Sequence, residues 1–228
     1  MKKGDYIWLL ALFFIIGFLT IPQTHKLFVE YTKNYPYTMS FLKVAVLATL
    51  GELLAVRILA GKWVQPVGVW PKAVIWGLIG MSFVIVFEIF ATGVTTLLDK
   101  GLLPTFGQGL GAFSFAFWTS TCMNFFFAPT MMAFHRITDT YLEAGEGRLA
   151  AFVQLPLADV IRKIDWGNMI GFVFLKTLPL FWVPAHTLTF LLPPEYRVLS
   201  AAFLSIALGA ILAFAKRKGT EKPEAAIA

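Results

Sequence analysis

Charge is what this chain has least of. Lys, Arg, Asp and Glu make up 14% of its 228 residues, where a soluble domain carries about a quarter. That scarcity excludes a sizeable soluble domain. Cysteine is nearly absent too: Cys122 stands alone, which rules out an intrachain disulfide and a cysteine metal cluster. Catalytic signatures are missing as well. The chain has no His-Glu-x-x-His helix, no Gly-x-Ser-x-Gly elbow and no phosphate loop. Gly107-Gln108-Gly109-Leu110-Gly111 has glycines at suggestive spacing but no βαβ context, so it reads as a flexible entry to a helix. No enzyme activity, cofactor, metal site or nucleic-acid partner is read from the residues.

What is present is apolar: 58% of the residues are hydrophobic, gathered in runs of about 20, the length that crosses a bilayer. Six spans are expected, at Tyr6–Ile21, Met39–Ala60, Ala73–Leu98, Leu110–Phe134, Met169–Leu192 and Val198–Ala215. The fold class is therefore an all-α polytopic transmembrane helix bundle. The basic N-terminus and first apolar run resemble a signal peptide, but Pro22 ends the run without a small-residue cleavage pattern, so it reads as an uncleaved span.

Basic residues fall unevenly on the two sides of this layout. Lys2, Lys3, Arg57, Lys62, Lys72, Arg136, Arg148, Arg162, Lys163, Lys216, Arg217, Lys218 and Lys222 collect on the side of the N-terminus; Lys26, Lys33, Lys100 and Arg197 collect on the other. The positive-inside rule then places both termini in the cytoplasm. With no Arg-rich transit peptide, a bacterial-type plasma membrane is expected rather than an organelle membrane. Tyr31, Tyr35 and Tyr37 in the first outer loop, Gln23 to Thr38, and Trp63, Trp70 and Trp166 at the inner boundary suit membrane interfaces. Leu157, Val160, Ile161 and Ile164 share one helix face opposite Asp159, Arg162 and Lys163, as in an amphipathic helix lying on the inner leaflet.

Three ionisable residues, Glu52, Glu88 and Lys176, fall within roughly 6 Å of the membrane midplane at about 1.5 Å of rise per residue. Charges at that depth are costly and seek partners, so Lys176 is expected to pair with one glutamate. Lys43 and Arg57 lie nearer helix ends and are expected to snorkel; His135 reads as interfacial. The fifth span contains Pro179 and Pro184, each of which frees a helix carbonyl, near Leu175 and Leu180. Trp182, His186, Thr189 and Phe190 share one of its faces, as a pore or solute-site lining would. In the sixth span Ala201, Ser205, Gly209 and Ala213 form a small-residue stripe suited to close helix packing, within the chain or in a homo-oligomer.

The order of motifs resembles the family of small integral membrane proteins that includes the mitochondrial inner-membrane Mpv protein and the peroxisomal membrane protein PMP. The residues that carry the resemblance lie between about Leu27 and Lys218. They are Tyr35-Pro36 with Gly51-Glu52; Asn124 with Ala128-Pro129; Asp165-Trp166; and Trp182, His186, Thr189-Phe190 and the outer turn Pro193-Pro194-Glu195-Tyr196-Arg197. His186 and Thr189 stand where the family has Gln and Asn, and Met123 replaces an Asp. The third span lacks the family's Gly-Pro and Trp-Tyr pairs, and the first span is an addition to a four-helix plan. The resemblance thus divides the chain into an extra helix at 1–22, a family-like bundle at 23–218 and a disordered polar tail at 219–228.

What the resemblance implies is a small-solute pore of low selectivity. The expected function is a channel or carrier for small solutes or ions, with Glu52, Glu88, Asn124, Lys176 and His186 along a polar path and Trp182 and Thr189 beside it. The alternative is a non-transporting scaffold whose charges pair internally.

Overall fold

Prolines and glycines punctuate the chain into helices. In the computed structural model, which describes residues 2–225 and side chains through 214, α1 (Lys3–Thr20) is followed directly by α2 (Pro22–Asn34) and α3 (Pro36–Ala60). Pro22 and Pro36 sit in the first turns of their helices, where a missing N–H costs nothing. The expected outer loop thus forms a helix of its own, and α3 begins ahead of the expected Met39. Gly61, in the left-handed conformation (φ 66°), ends α3, as C-terminal glycines do.

Next come α4 (Val69–Asp99), α5 (Gly111–Phe126) and α6 (Ala128–Ala144). The fourth apolar run is divided between α5 and α6 at Phe127, with Pro129 in the first turn of α6. Two short helices follow, α7 (Ala151–Gln154) and α8 (Leu157–Arg162). Of the expected amphipathic face, Val160 and Ile164 are buried, and Val160 clusters with Tyr141 and Ala151. The helix therefore packs on the end of α6 as well as presenting Asp159 and Arg162 outward.

The fifth span is one helix with two windings. After the single turn α9 (Trp166–Asn168), Met169–Trp182 is π-helical and α10 (Val183–Leu191) resumes α geometry. The Val183 N–H bonds to the Leu178 carbonyl, five residues back. In such a ladder Pro179 leaves the carbonyl of Phe174 without a donor, one residue before the α-helical expectation. π winding is rare and mostly takes the form of single-turn bulges; here it runs for 14 residues. The last helix, α11 (Pro194–Ala225), continues its backbone through part of the expected polar tail, as its Lys, Arg, Glu and Ala content favours; residues 226–228 lie outside the described residues.

Five helices are long and apolar enough to cross a membrane: α1, α3, α4, Trp166–Leu191 and Pro194–Phe214. With the divided α5–α6 run they make the expected all-α multi-pass bundle, and no strand occurs among the described residues. Their outward surface is apolar, with Phe13, Phe14, Leu180 and Leu188 all exposed, as bilayer contact requires. The chain is an integral membrane protein.

The centre of the bundle is α3, packed against α4 and α11, with its Val44 and Leu47 clustered with Phe87, Met123, Phe190 and Ala202. On α11 the small-residue stripe faces α3. A side chain at Gly209 would touch the Gly51 carbonyl and Ala55, and one at Gly51 would meet the Ile206 backbone at 3.2 Å. Ala201 and Ala213 are buried. The stripe therefore packs within the chain, against α3. At α1 no residue is buried. A clasp holds its start: Arg57 Nε donates to Asp5 Oδ1 at 2.8 Å and Trp63 Nε1 donates to the same oxygen at 2.8 Å. Farther along, Trp8 Nε1 donates to the Leu50 carbonyl at 2.9 Å. Arg57, expected to snorkel, is instead a partner in that clasp.

Candidate functional site

A cavity of about 260 Å³ lies between α3, α4, α5, α6, the fifth span and α11. Its walls are mostly apolar, with Val44, Ala48, Phe83, Phe127, Met131 and Val173 among them. Apolar walls with a few convergent polar groups are the usual form of a small-molecule site. Here the polar groups stand in two places.

The first is set by α5 and α10. Asn124 is fully buried; its Nδ2 donates to the Ser120 carbonyl at 2.8 Å and lies 3.1 Å from His186 Nδ1. The amide oxygen lies 3.4 Å from the same nitrogen, so Asn124 can donate to or accept from His186 Nδ1 according to the imidazole tautomer. Trp182 stacks on His186 at 4.9 Å, and Phe87 meets the imidazole edge-on at 6.4 Å. The Trp182 indole N–H is buried with no acceptor. Ser120 Oγ donates to the Val183 carbonyl at 2.7 Å, beside Pro184, which cannot supply a backbone donor of its own. Thr189, fully buried, reaches Ser200 of α11 at 3.0 Å and so joins the two helices rather than lining the cavity. Replacing Asn124 with Leu would strip His186 of its partner at a buried site. The expected loss is about 1–3 kcal/mol, read as a lower thermal midpoint in detergent; an unchanged midpoint would show that this bond is not formed.

The second polar place is the end of the cavity near the N-terminus of α4. Trp76 Nε1 donates to Glu52 Oε1 at 3.1 Å, and the Trp76 ring lies 4.0 Å from that of His135. His135 Nε2 is 3.7 Å from Asp139 Oδ1, one helical turn on. Lys72 Nζ stands 3.5 Å from Asp139 and 3.8 Å from Glu143, and Arg136 is 3.6 Å from Glu143. Burial pushes the Asp139 carboxyl above the usual carboxylate range, against the pull of Lys72.

The other expected path residues lie elsewhere. Glu88 is exposed and accepts from Thr92 Oγ1 at 3.1 Å, in a shallow groove with Lys43, Glu195 and Arg197. Lys176 is exposed as well. The expected Lys176–glutamate pair does not form: Glu52 is turned to Trp76, Glu88 to Thr92, and neither bridges to lysine among the described residues. Depth along a span does not decide azimuth, and the π winding changes the azimuth of Lys176 relative to α10. Lys43, expected to snorkel, is buried: its Nζ donates to Thr32 Oγ1 at 2.8 Å and lies 4.5 Å above the Phe28 ring. In the turn between α10 and α11, Pro193 precedes Pro194, the first residue of α11, and Arg197 Nε donates back to the Leu192 carbonyl at 3.1 Å. Arg197 also faces the Phe190 and Phe115 rings.

Sequence reasoning missed Lys72, Trp76 and Asp139 as a group with Glu52 and His135. The available signal was the i,i+4 spacing of Lys72 with Trp76 and of His135 with Asp139, too common to stand out alone. Compared with known proteins, the chain matches no family model, no curated protein and no solved structure.

Proposed function

We propose that the protein carries a small, largely apolar solute with one hydrogen-bonding group across its membrane. The observation that supports this reading is the cavity, walled by Phe, Met and Val and reaching His186 and Asn124 inside the bundle. A bare ion there would shed its water against hydrocarbon, which is costly, so this reading narrows the solute away from small ions. It fits a protein similar in motif order to the Mpv and PMP family, oriented with its basic end and both termini in the cytoplasm. In this reading Glu88 and Lys176 take no part, while His186 and the Trp182 stack select the solute.

The test is uptake of a solute panel, neutral and charged, by proteoliposomes. At least one neutral solute is expected to cross faster than in empty vesicles. Ala202→Trp, which puts an indole into the cavity, is expected to lower that flux about tenfold or more, and Lys176→Gln to leave it unchanged. Tight vesicles across the panel, with folded protein confirmed, would favour a non-transporting scaffold instead.

A further inference from the structure

The second polar place has an arrangement that transport alone does not call for. One oxygen of Glu52 on α3, one nitrogen of His135 and one oxygen of Asp139 on α6 all lie within 4.8 Å of one another. Asp139 is 9% exposed and its buried Oδ1 has the Lys72 ammonium at 3.5 Å, while His135 Nε2 is buried with no hydrogen-bond partner. The imidazole nitrogen is thus desolvated, facing at 3.7 Å a carboxylate oxygen whose partner is the Lys72 ammonium. That is unfavourable unless something bonds to the nitrogen. We propose that Glu52, His135 and Asp139 bind one divalent transition-metal ion, of the zinc class, beside the His135 end of the cavity.

The donor set decides the class of ion. One imidazole and two carboxylates suit zinc, manganese, iron or cobalt, whereas calcium and magnesium favour oxygen alone. Metal–ligand bonds of about 2.0–2.2 Å put tetrahedral ligand atoms about 3.4 Å apart. The most widely spaced donors therefore close by up to about 1.4 Å. Three protein ligands leave at least one position for water or solute. The groups around them already hold the donors in place: the Trp76 N–H fixes the Glu52 carboxylate, and the Trp76 ring lies against the His135 imidazole. Outer partners of this kind orient metal ligands.

Charge is the counter-argument, and it is met locally. Glu52, Asp139 and Glu143 bring three negative charges against two positive ones on Lys72 and Arg136, so the cluster is not cationic. Lys72 occupies the space beside Asp139 that an ion would use. Glu143 lies within reach at 3.8 Å and gives its ammonium another partner when the ion enters. Lys72 is then a competitor of the metal, and removing it should strengthen binding. A cluster built only to neutralise its own charges predicts no such gain.

The experiment uses the full chain, without a histidine tag, in detergent micelles. Zn²⁺ is titrated calorimetrically and Co²⁺ by its visible absorption. One equivalent of each is expected to bind and Zn²⁺ to displace Co²⁺, while Mg²⁺ does neither. His135→Ala and Glu52→Gln are each expected to weaken Zn²⁺ binding about 100-fold, Lys72→Met to strengthen it about tenfold, and His25→Ala to leave it unchanged. Lys72→Met keeps the site testable if His135→Ala fails to fold. Wild-type binding no tighter than that of Glu52→Gln, or weakened by Lys72→Met, overturns the proposal.

Discussion

Gly80→Val is expected to cost the bundle on the order of 3 kcal/mol, because overpacking at a fixed backbone cannot be relieved by rotamers. A Cβ at Gly80 would sit 2.6 Å from the Ser40 carbonyl oxygen and 2.7 Å from Val44 Cβ. The first neighbour is backbone, so α3 and α4 would have to separate. These two helices carry Glu52, Trp76 and the Val44 wall, so their separation would open the cavity along with the core. Gly93 is the control. It lies in the same helix, and a methyl group there would meet nothing within 4 Å. Gly93→Ala should therefore stabilise by up to about 1 kcal/mol through helix propensity. Thermal unfolding of the two variants in one detergent reads the contrast. Equal midpoints would mean that α3 and α4 do not approach so closely.

Arg57→Ala is expected to release α1 while leaving the rest of the bundle folded. Asp5 would lose both guanidinium contacts, at 2.8 and 3.2 Å, and keep only Trp63 and the Lys2 backbone. Since α1 buries no residue, what else holds it is Trp8, the packing of Ile15, the Lys2 ammonium on the Gly61 carbonyl and Gly4 against the Trp63 ring. Hydrogen–deuterium exchange over residues 3–20 should quicken at least tenfold, with exchange in α3 and α4 nearly unchanged. Reversing the pair, Asp5→Arg with Arg57→Asp, should recover much of the protection, since the pair and not either charge alone makes the clasp. Exchange that is the same in the single and reversed variants would refute the clasp.

The spans are legible in the sequence because a bilayer imposes length and composition together, and even the divided α5–α6 run shows as one apolar stretch. The small-residue stripe is legible for a similar reason: only packing against a close backbone explains small residues at every fourth position. Rotation is not legible. Glu52, Glu88 and Lys176 share a depth, but each faces a different neighbour, and the π winding through Met169–Trp182 has no marker in the sequence beyond its prolines. Nor is Lys43 legible as buried, since α2 folds back over it only because Pro22 and Pro36 begin new helices on either side. The face Trp182–His186–Phe190 does show in the sequence as one side of a helix. Its partners, Asn124 and Ser120, come from another helix and need the fold.

The clasp at the start of α1 also has a history in time. Asp5 and Arg57 are 52 residues apart, which at a synthesis rate of about 5–20 residues per second is roughly 3–10 s of translation. During that interval α1 is already made and apolar enough to enter the bilayer, while its Asp5 carboxylate waits at the water interface. Entry of the first helix and its attachment to the bundle are thus separate events, and the second is set by when the end of α3 emerges.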